Sequence, residues 1–187
     1  PIKVAKKEFA DTDEGKAFRA IGYGSQDQAE TTFGTRYAGK VTLRAASGKM
    51  FHKMFGSLSA FEEAIAKHTS QGYVDGTKDA LAQMYERELM PRYEAWVGEA
   101  EGDAQTCHGD SGGPLLGDED GERRIFGVVS GGYTPLFSTG CIVGTAYATF
   151  GPWTRQLIED ELRGEGSDAG IEPNQESADA AASSGDN

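Results

Sequence analysis

Cys107-His108-Gly109-Asp110-Ser111-Gly112-Gly113-Pro114 is the stretch of this chain whose residue types and spacing suit chemistry. It sets a serine among glycines, which reach backbone conformations that other residues avoid. A nucleophile on a tight, exposed turn requires that setting. A serine hydroxyl is a poor nucleophile at neutral pH. It needs a histidine to take its proton and a carboxylate to orient that histidine. It also needs hydrogen-bond donors where the attacked carbonyl oxygen becomes negative. The chain holds three histidines, His52, His68 and His108.

The elements that must carry such a loop can be read from periodicity. Residues 1–16 are polar and mixed in charge, with a short apolar alternation at Ile2-Lys3-Val4. Phe18 to Gly24 alternates apolar and polar residues and stops at glycine, as a strand does. Arg36 to Ala45 reads as a second strand around Tyr37, Val41 and Leu43. Between Ser57 and Val97 the period becomes helical. Phe61, Ala64 and Ile65 share a face, and Ser59 with Glu62 resembles a capping box. Leu81, Met84, Tyr85 and Leu89 give a second helix from Thr77 to about Met90, ended by Pro91; its apolar stripe is expected to be core packing. Strands resume at Leu115-Leu116, Ile125 to Ser130 and Cys141 to Phe150. Trp153 to Arg163 closes the pattern as a helix, with Leu157, Ile158 and Leu162 on one face.

Beyond Gly164 the composition turns to Gly, Ser, Ala, Asp and Glu, with no Lys or Arg. Such a segment buries too little surface to offset its ordering entropy, so 164–187 is expected to be a disordered acidic tail. The 187 residues suit one domain with an appendage. A formal net charge of −12 argues against nucleic acid as a partner. No apolar run approaches the ~20 residues that cross a bilayer. The chain opens Pro1-Ile2-Lys3-Val4 without a signal peptide, as expected of a mature, cleaved chain or a trimmed piece. Two cysteines, Cys107 and Cys141, are compatible with one disulfide or with two reduced, buried thiols.

The serine run resembles the serine loop of trypsin/chymotrypsin-like serine proteases, and the resemblance extends along about residues 17–163. Ile21-Gly22-Tyr23-Gly24 is similar to the strand that opens that family's second barrel. Phe126-Gly127-Val128-Val129-Ser130-Gly131-Gly132 is similar to the strand whose backbone pairs with bound peptide. Ala146 to Phe150 resembles the strand before the family's C-terminal helix, and Trp153 to Leu162 resembles that helix. The resemblance implies an all-β fold class: the C-terminal six-stranded antiparallel barrel of a double-barrel fold, within residues 1–163, with a helical insertion at about 50–97. It implies that Ser111 is the nucleophile, with the Gly109 and Ser111 N–H groups as oxyanion hole. It implies a Cys107–Cys141 disulfide across the specificity pocket, and hence an oxidising compartment, secreted or periplasmic. It also implies that Asp110 is activation-linked: in the family this aspartate pairs with a freshly cleaved N-terminal ammonium. The bland reading of Asp110 is a cap of its own loop. No cofactor or metal is implied.

The departures matter as much. Only the second barrel is matched, and the first normally brings the catalytic histidine and aspartate. His108 falls at a rim position where the family tolerates many residues, and His52 and His68 are expected to be surface histidines. The favoured expectation is a serine endopeptidase subunit acting through an acyl-enzyme, its His and Asp supplied by a separate N-terminal chain of the same precursor. The alternative is an inactive pseudoprotease half that acts as a binding module. A lone barrel would expose an apolar cleft face. For the substrate, a protein or peptide, the resemblance places Gln105 and Thr106 at the pocket floor. Ser130, Gly131 and Gly132 form one wall, and Gly144-Thr145 lies near the other. Gln105 stands where trypsin-like members have an aspartate, so an uncharged side chain is expected before the cut. A loop shifted to bring Asp103 to the floor would reverse that.

Overall fold

Six antiparallel strands close on themselves through the pairing of the last with the first. The computed structural model describes residues 2–26, 32–67, 77–133 and 141–164. The elements are β1 (Lys3–Val4), a 3-10 turn at Asp11–Asp13, β2 (Ala17–Gly22), β3 (Tyr37–Ala45) and β4 (Gly48–Lys49). Then come α1 (Met50–Phe55), α2 (Leu58–Ala66), α3 (Thr77–Tyr85), β5 (Glu88–Leu89) and β6 (Glu94–Val97). The chain continues with β7 (Pro114–Glu119), β8 (Glu122–Tyr133), β9 (Ile142–Thr149) and α4 (Pro152–Arg163). The barrel order is β8-β7-β2-β3-β6-β9, closed by β9 pairing back onto β8. β1 lies parallel to β8 on its flank, with Lys3 opposite Arg124.

Alternation explains the barrel interior. On β3, Val41, Leu43 and Ala45 are buried, while Lys40 is exposed and Thr42 and Arg44 are partly so. The inward set from several strands makes one core: Ala20, Val41, Leu43, Ala95, Val97, Leu115, Val129 and Tyr147. Side chains two residues apart on a strand share a face, so this core runs along every wall.

A second core lies on the opposite face of β6 and β9. Trp96, Val143 and Ala146 meet Met50 and Phe51 of α1, Phe61 and Ile65 of α2, and Leu81 and Tyr85 of α3. Trp96 donates its indole N–H to the Val143 carbonyl at 2.8 Å, which satisfies the one polar atom of a fully buried ring. Ser57 caps α2, its hydroxyl accepting from the Ala60 N–H at 3.2 Å. Ser59, expected in that role, sits inside the helix.

Two further differences from the periodicity have physical causes. The second helix ends at Tyr85 and not near Met90, because Glu88–Leu89 pairs with Gly48–Lys49 and carries Leu89 into the core as a strand. The helical stretch also stops short of 97: Glu94–Val97 is a barrel strand between β3 and β9. Ala95, Trp96 and Val97 are all buried because helices cover the outer face, so no alternation marks them. Residues 165–187 of the expected acidic tail lie outside the described residues. A second compact unit begins at Trp153 and is represented by α4. That helix starts at Pro152, whose missing N–H costs nothing in the first turn.

Candidate active site

Asp110 is the anchor of the serine loop. Its buried carboxylate accepts the Gly24 N–H at 2.7 Å and the Cys107 N–H at 2.9 Å. Gly22 makes the first contact possible: a Cβ there would stand 1.8 Å from the Asp110 carboxylate. The Gly22-Tyr23-Gly24 turn at the end of β2 is thus what lets the loop close on the barrel. Backbone bonds complete the fixation. Asp110 donates to the Cys107 carbonyl, Gly113 to the Asp110 carbonyl, Gly112 to Val129, and Val129 back to Gly113, all at 2.8–3.0 Å. Cys107 and Cys141 form a disulfide with Cα atoms 5.2 Å apart, tying the loop to the start of β9. A bridge closing a loop of this length contributes on the order of 3–4 kcal/mol in the chain-entropy model.

Ser111 and Gly109 are exposed. Gly109 has φ +90°, a conformation side-chain-bearing residues resist. Among the described residues, the Gly109 and Ser111 N–H groups have no acceptor in the chain, whereas the N–H groups of Asp110, Gly112 and Gly113 are all bonded. Among the described residues, the loop therefore presents two unengaged donors beside an exposed serine.

Next to the loop runs β8. Its pairing with β7 ends at Val128 opposite Pro114, while its pairing with β9 continues through Gly132 and Tyr133. Ser130, Gly131 and Gly132 are exposed, and among the described residues no strand lies on their second edge. Gln105 donates its amide Nε2 toward the Thr106 carbonyl (3.0 Å), the Gly144 carbonyl (3.2 Å) and Thr145 Oγ1 (3.1 Å). The Thr106 and Thr145 hydroxyls are 2.5 Å apart, and both residues are buried.

Asp103 is elsewhere. Its carboxylate accepts the Thr42 N–H and hydroxyl, both at 2.9 Å, and the Ala100 N–H at 3.1 Å, with Lys40 Nζ at 3.5 Å. That carboxylate is committed to β3 and not to the loop at Gln105 and Thr106. His52 bonds Glu86 at 2.9 Å through Nε2 and stacks on Tyr85 at 4.1 Å between ring centroids. It is a satisfied histidine of the helical layer. His108 is exposed; His68 lies outside the described residues. Cys107, His108 and Cys141 sit close together, but the two sulfurs are bonded to each other.

Two neighbours of the site are absent from the sequence-based candidates. The Phe33 ring lies against Gly109, 3.3 Å from where a Cβ would be; nothing in its spacing marks it. Tyr147 is wholly buried, and its hydroxyl has no hydrogen-bond partner among the described residues. Burial, then the Asp110 charge, push that phenol up from its ordinary pKa. The period of β9, which puts Tyr147 on the face of Thr145, is the signal that would have found it.

A cavity of about 260 Å³ has Asp110 in its wall, with Gly22, Tyr37, Ala104, Gln105 and Thr106. A larger one, about 660 Å³, opens at Phe9, Phe18 and Phe126 and includes none of the serine-loop residues. No helix among the described residues is long and apolar enough to cross a membrane. No curated protein matches the chain. A family model described as Trypsin matches residues 69–153, the span that holds β6 to β9, both cysteines and the serine loop. That span and the closed antiparallel barrel make the chain similar to the trypsin-like serine proteases and consistent with a member of that family.

Proposed function

We propose that this chain is the nucleophile-bearing barrel of a serine endopeptidase. The observation that carries the reading is the pair of Gly109 and Ser111 N–H groups, which have no acceptor among the described residues and flank the anchored Asp110 beside the exposed Ser111. Ser111 Oγ attacks the peptide carbonyl carbon while its proton passes to a histidine. The carbonyl oxygen becomes an oxyanion held by the two N–H groups; removing such a donor costs about 3–4 kcal/mol of transition-state stabilisation. The C–N bond then breaks, the histidine returns the proton to the leaving amine, and water releases the acyl group by the same path. The open edge of Ser130 to Gly132 suits an extended peptide, which would add to the sheet as a strand.

The histidine and its orienting aspartate are supplied by a separate N-terminal chain of the same precursor. The commitment of His52 to Glu86 and Tyr85 supports this. Asp110 is activation-linked in this reading: the cavity at its side offers room for an incoming ammonium. The disulfide fits a secreted or periplasmic site of action.

A fluorophosphonate tests the nucleophile. In the native assembly it labels Ser111, and Ser111→Ala abolishes both labelling and turnover while leaving folding and partner binding intact. An unlabelled Ser111 in active material would sink the protease reading and leave the inactive binding module.

A further inference from the structure

Between β6 and β7 the chain runs through residues 98–113 without a strand or helix. Connections that long with no structure of their own are uncommon in compact domains. The second half of this one is held by the Cys107–Cys141 disulfide and the Asp110 carboxylate. The first half is held by Asp103.

The Asp103 side chain does the work of a strand backbone. Past Val97 the chain keeps to the side of β3: the Gly98 N–H donates to the Thr42 carbonyl at 2.8 Å and the Ala104 N–H to the Lys40 carbonyl at 2.7 Å. Between those bonds lies a tight turn, with positive φ at Gly98, Glu99 and Gly102. At Glu99, which carries a side chain, that conformation is disfavoured and needs outside support. The Thr42 N–H lies between the two bonds on the same edge of β3, and it donates to Asp103 Oδ2 at 2.9 Å. The carboxylate thus stands where a paired strand would put a carbonyl. The same oxygen accepts the Ala100 N–H at 3.1 Å, and Oδ1 accepts the Thr42 hydroxyl at 2.9 Å. One group therefore closes the turn and fixes it to β3. Its side chain is 2% exposed, with Lys40 Nζ at 3.5 Å as counter-charge. Gly39 completes the seat: a Cβ there would stand 2.2 Å from Ala104 Cβ, so the close approach to β3 requires glycine.

We propose that Asp103 is a positioning residue for Ser111. It fixes the point at which the chain leaves β3, and with Asp110 it brackets the residues that present the Gly109 and Ser111 N–H groups. It acts through the backbone and touches no substrate. The inference rests on the reading of Ser111 as the nucleophile, and the experiment separates the two.

Asp103→Ala, Asp103→Asn and Thr42→Val are compared with the wild type in the native assembly, at a temperature where circular dichroism shows each to be folded. A simple alkyl fluorophosphonate gives kinact and KI at Ser111, and hydrogen exchange reports on the loop amides. Asp103→Ala takes the acceptor from the Thr42 and Ala100 N–H groups. It is expected to lower kinact about tenfold or more, with KI little changed. Exchange at the bonded amides of Asp110, Gly112 and Gly113 should quicken about tenfold. The Ala5 amide, bonded to Ile125 on the flank, should not change. Asp103→Asn can keep every bond, its Oδ1 accepting the N–H groups and its Nδ2 donating to Thr42 Oγ1. It should restore kinact to within about threefold of the wild type. Thr42→Val loses the hydroxyl bond alone and serves if Asp103→Ala does not fold; it should quicken the same loop amides about threefold. Faster exchange confined to Thr42 and Ala100, with kinact unchanged, overturns the positioning role. So does a rise at Ala5 equal to that in the loop, or an Asp103→Asn variant no better than Asp103→Ala. A wild type that never labels overturns the nucleophile, and the exchange measurements then still decide whether Asp103 holds the loop.

Discussion

At the scale of single residues, Gly109 is where the proposed oxyanion hole can be tested. Its φ of +90° already disfavours a side chain, and a Cβ would also stand 3.0 Å from Gly24 Cα and 3.3 Å from the Phe33 ring. Gly109→Ala is therefore expected to lower stability by about 1–3 kcal/mol. It should also turn the N–H out of line and cut kcat about 10²–10³-fold, with a smaller change in KM. Kinetics at a temperature where the variant is fully folded checks this; an unchanged kcat would remove Gly109 from the oxyanion hole. The serine run was legible in the sequence because consecutive residues specify the loop. Thr145 was legible only as a residue near the pocket. The bonds that fix it join residues 39 and 40 positions apart in sequence, and spacing carries no trace of them. Phe33 was not legible at all, since its contact with Gly109 depends on how the β2–β3 connection folds back.

At the scale of elements, strands with one wet face announced themselves. β2, β3, β7, β8 and β9 fall where alternation put them, within a few residues at their ends. β6 did not, because the helical layer dries its outer face and erases the alternation. The N-terminal segment is another element whose placement was hidden. Its fixation comes from Glu119 on β7, whose buried carboxylate accepts the Lys6 and Lys7 N–H groups, both at 2.9 Å, near Arg124. Burial pushes that carboxyl up. The two N–H bonds, with the charges of Arg124 and Lys7, outweigh it and hold the group below its ordinary value of 4.5. A depressed folded-state pKa means that the stabilisation is complete above the unfolded value and is lost as pH falls through the folded one. Hydrogen exchange of the Lys6 and Lys7 amides should thus stay slow at neutral pH and quicken, beyond the intrinsic pH effect, only as the pH falls below the ordinary carboxyl value of 4.5. Glu119→Gln should abolish that acid step and raise exchange already at pH 7. Amide protection that is indifferent to pH in the wild type would show that Glu119 does not hold the segment.

At the scale of the whole molecule, the barrel carries exposed aromatic surface around its serine loop. Tyr23, Phe33 and Tyr37 are 54%, 53% and 53% exposed. They are joined to the loop by contact or register: Tyr23 between the two glycines at Asp110, Phe33 against Gly109, and Tyr37 opposite Gly22 on β3. Grouped aromatics of that exposure mark an interaction face more often than free surface. In the proposed reading, the same face is where the histidine of the separate chain would meet Ser111, while His52 is held in the helical layer. On that reading one partner would meet both needs, a second barrel covering the aromatics and bringing the base. The composition supports a protein partner and not a polyanion, with a net charge of −12. Material purified from its source is therefore expected to run in native mass spectrometry above the chain's own 19.9 kDa. Fluorophosphonate labelling of Ser111 should be confined to the heavier species. Tyr23→Ser with Tyr37→Ser should shift the population toward the single chain and lower labelling in proportion. A lone 19.9 kDa species with full peptidase activity would mean that the base lies within these 187 residues.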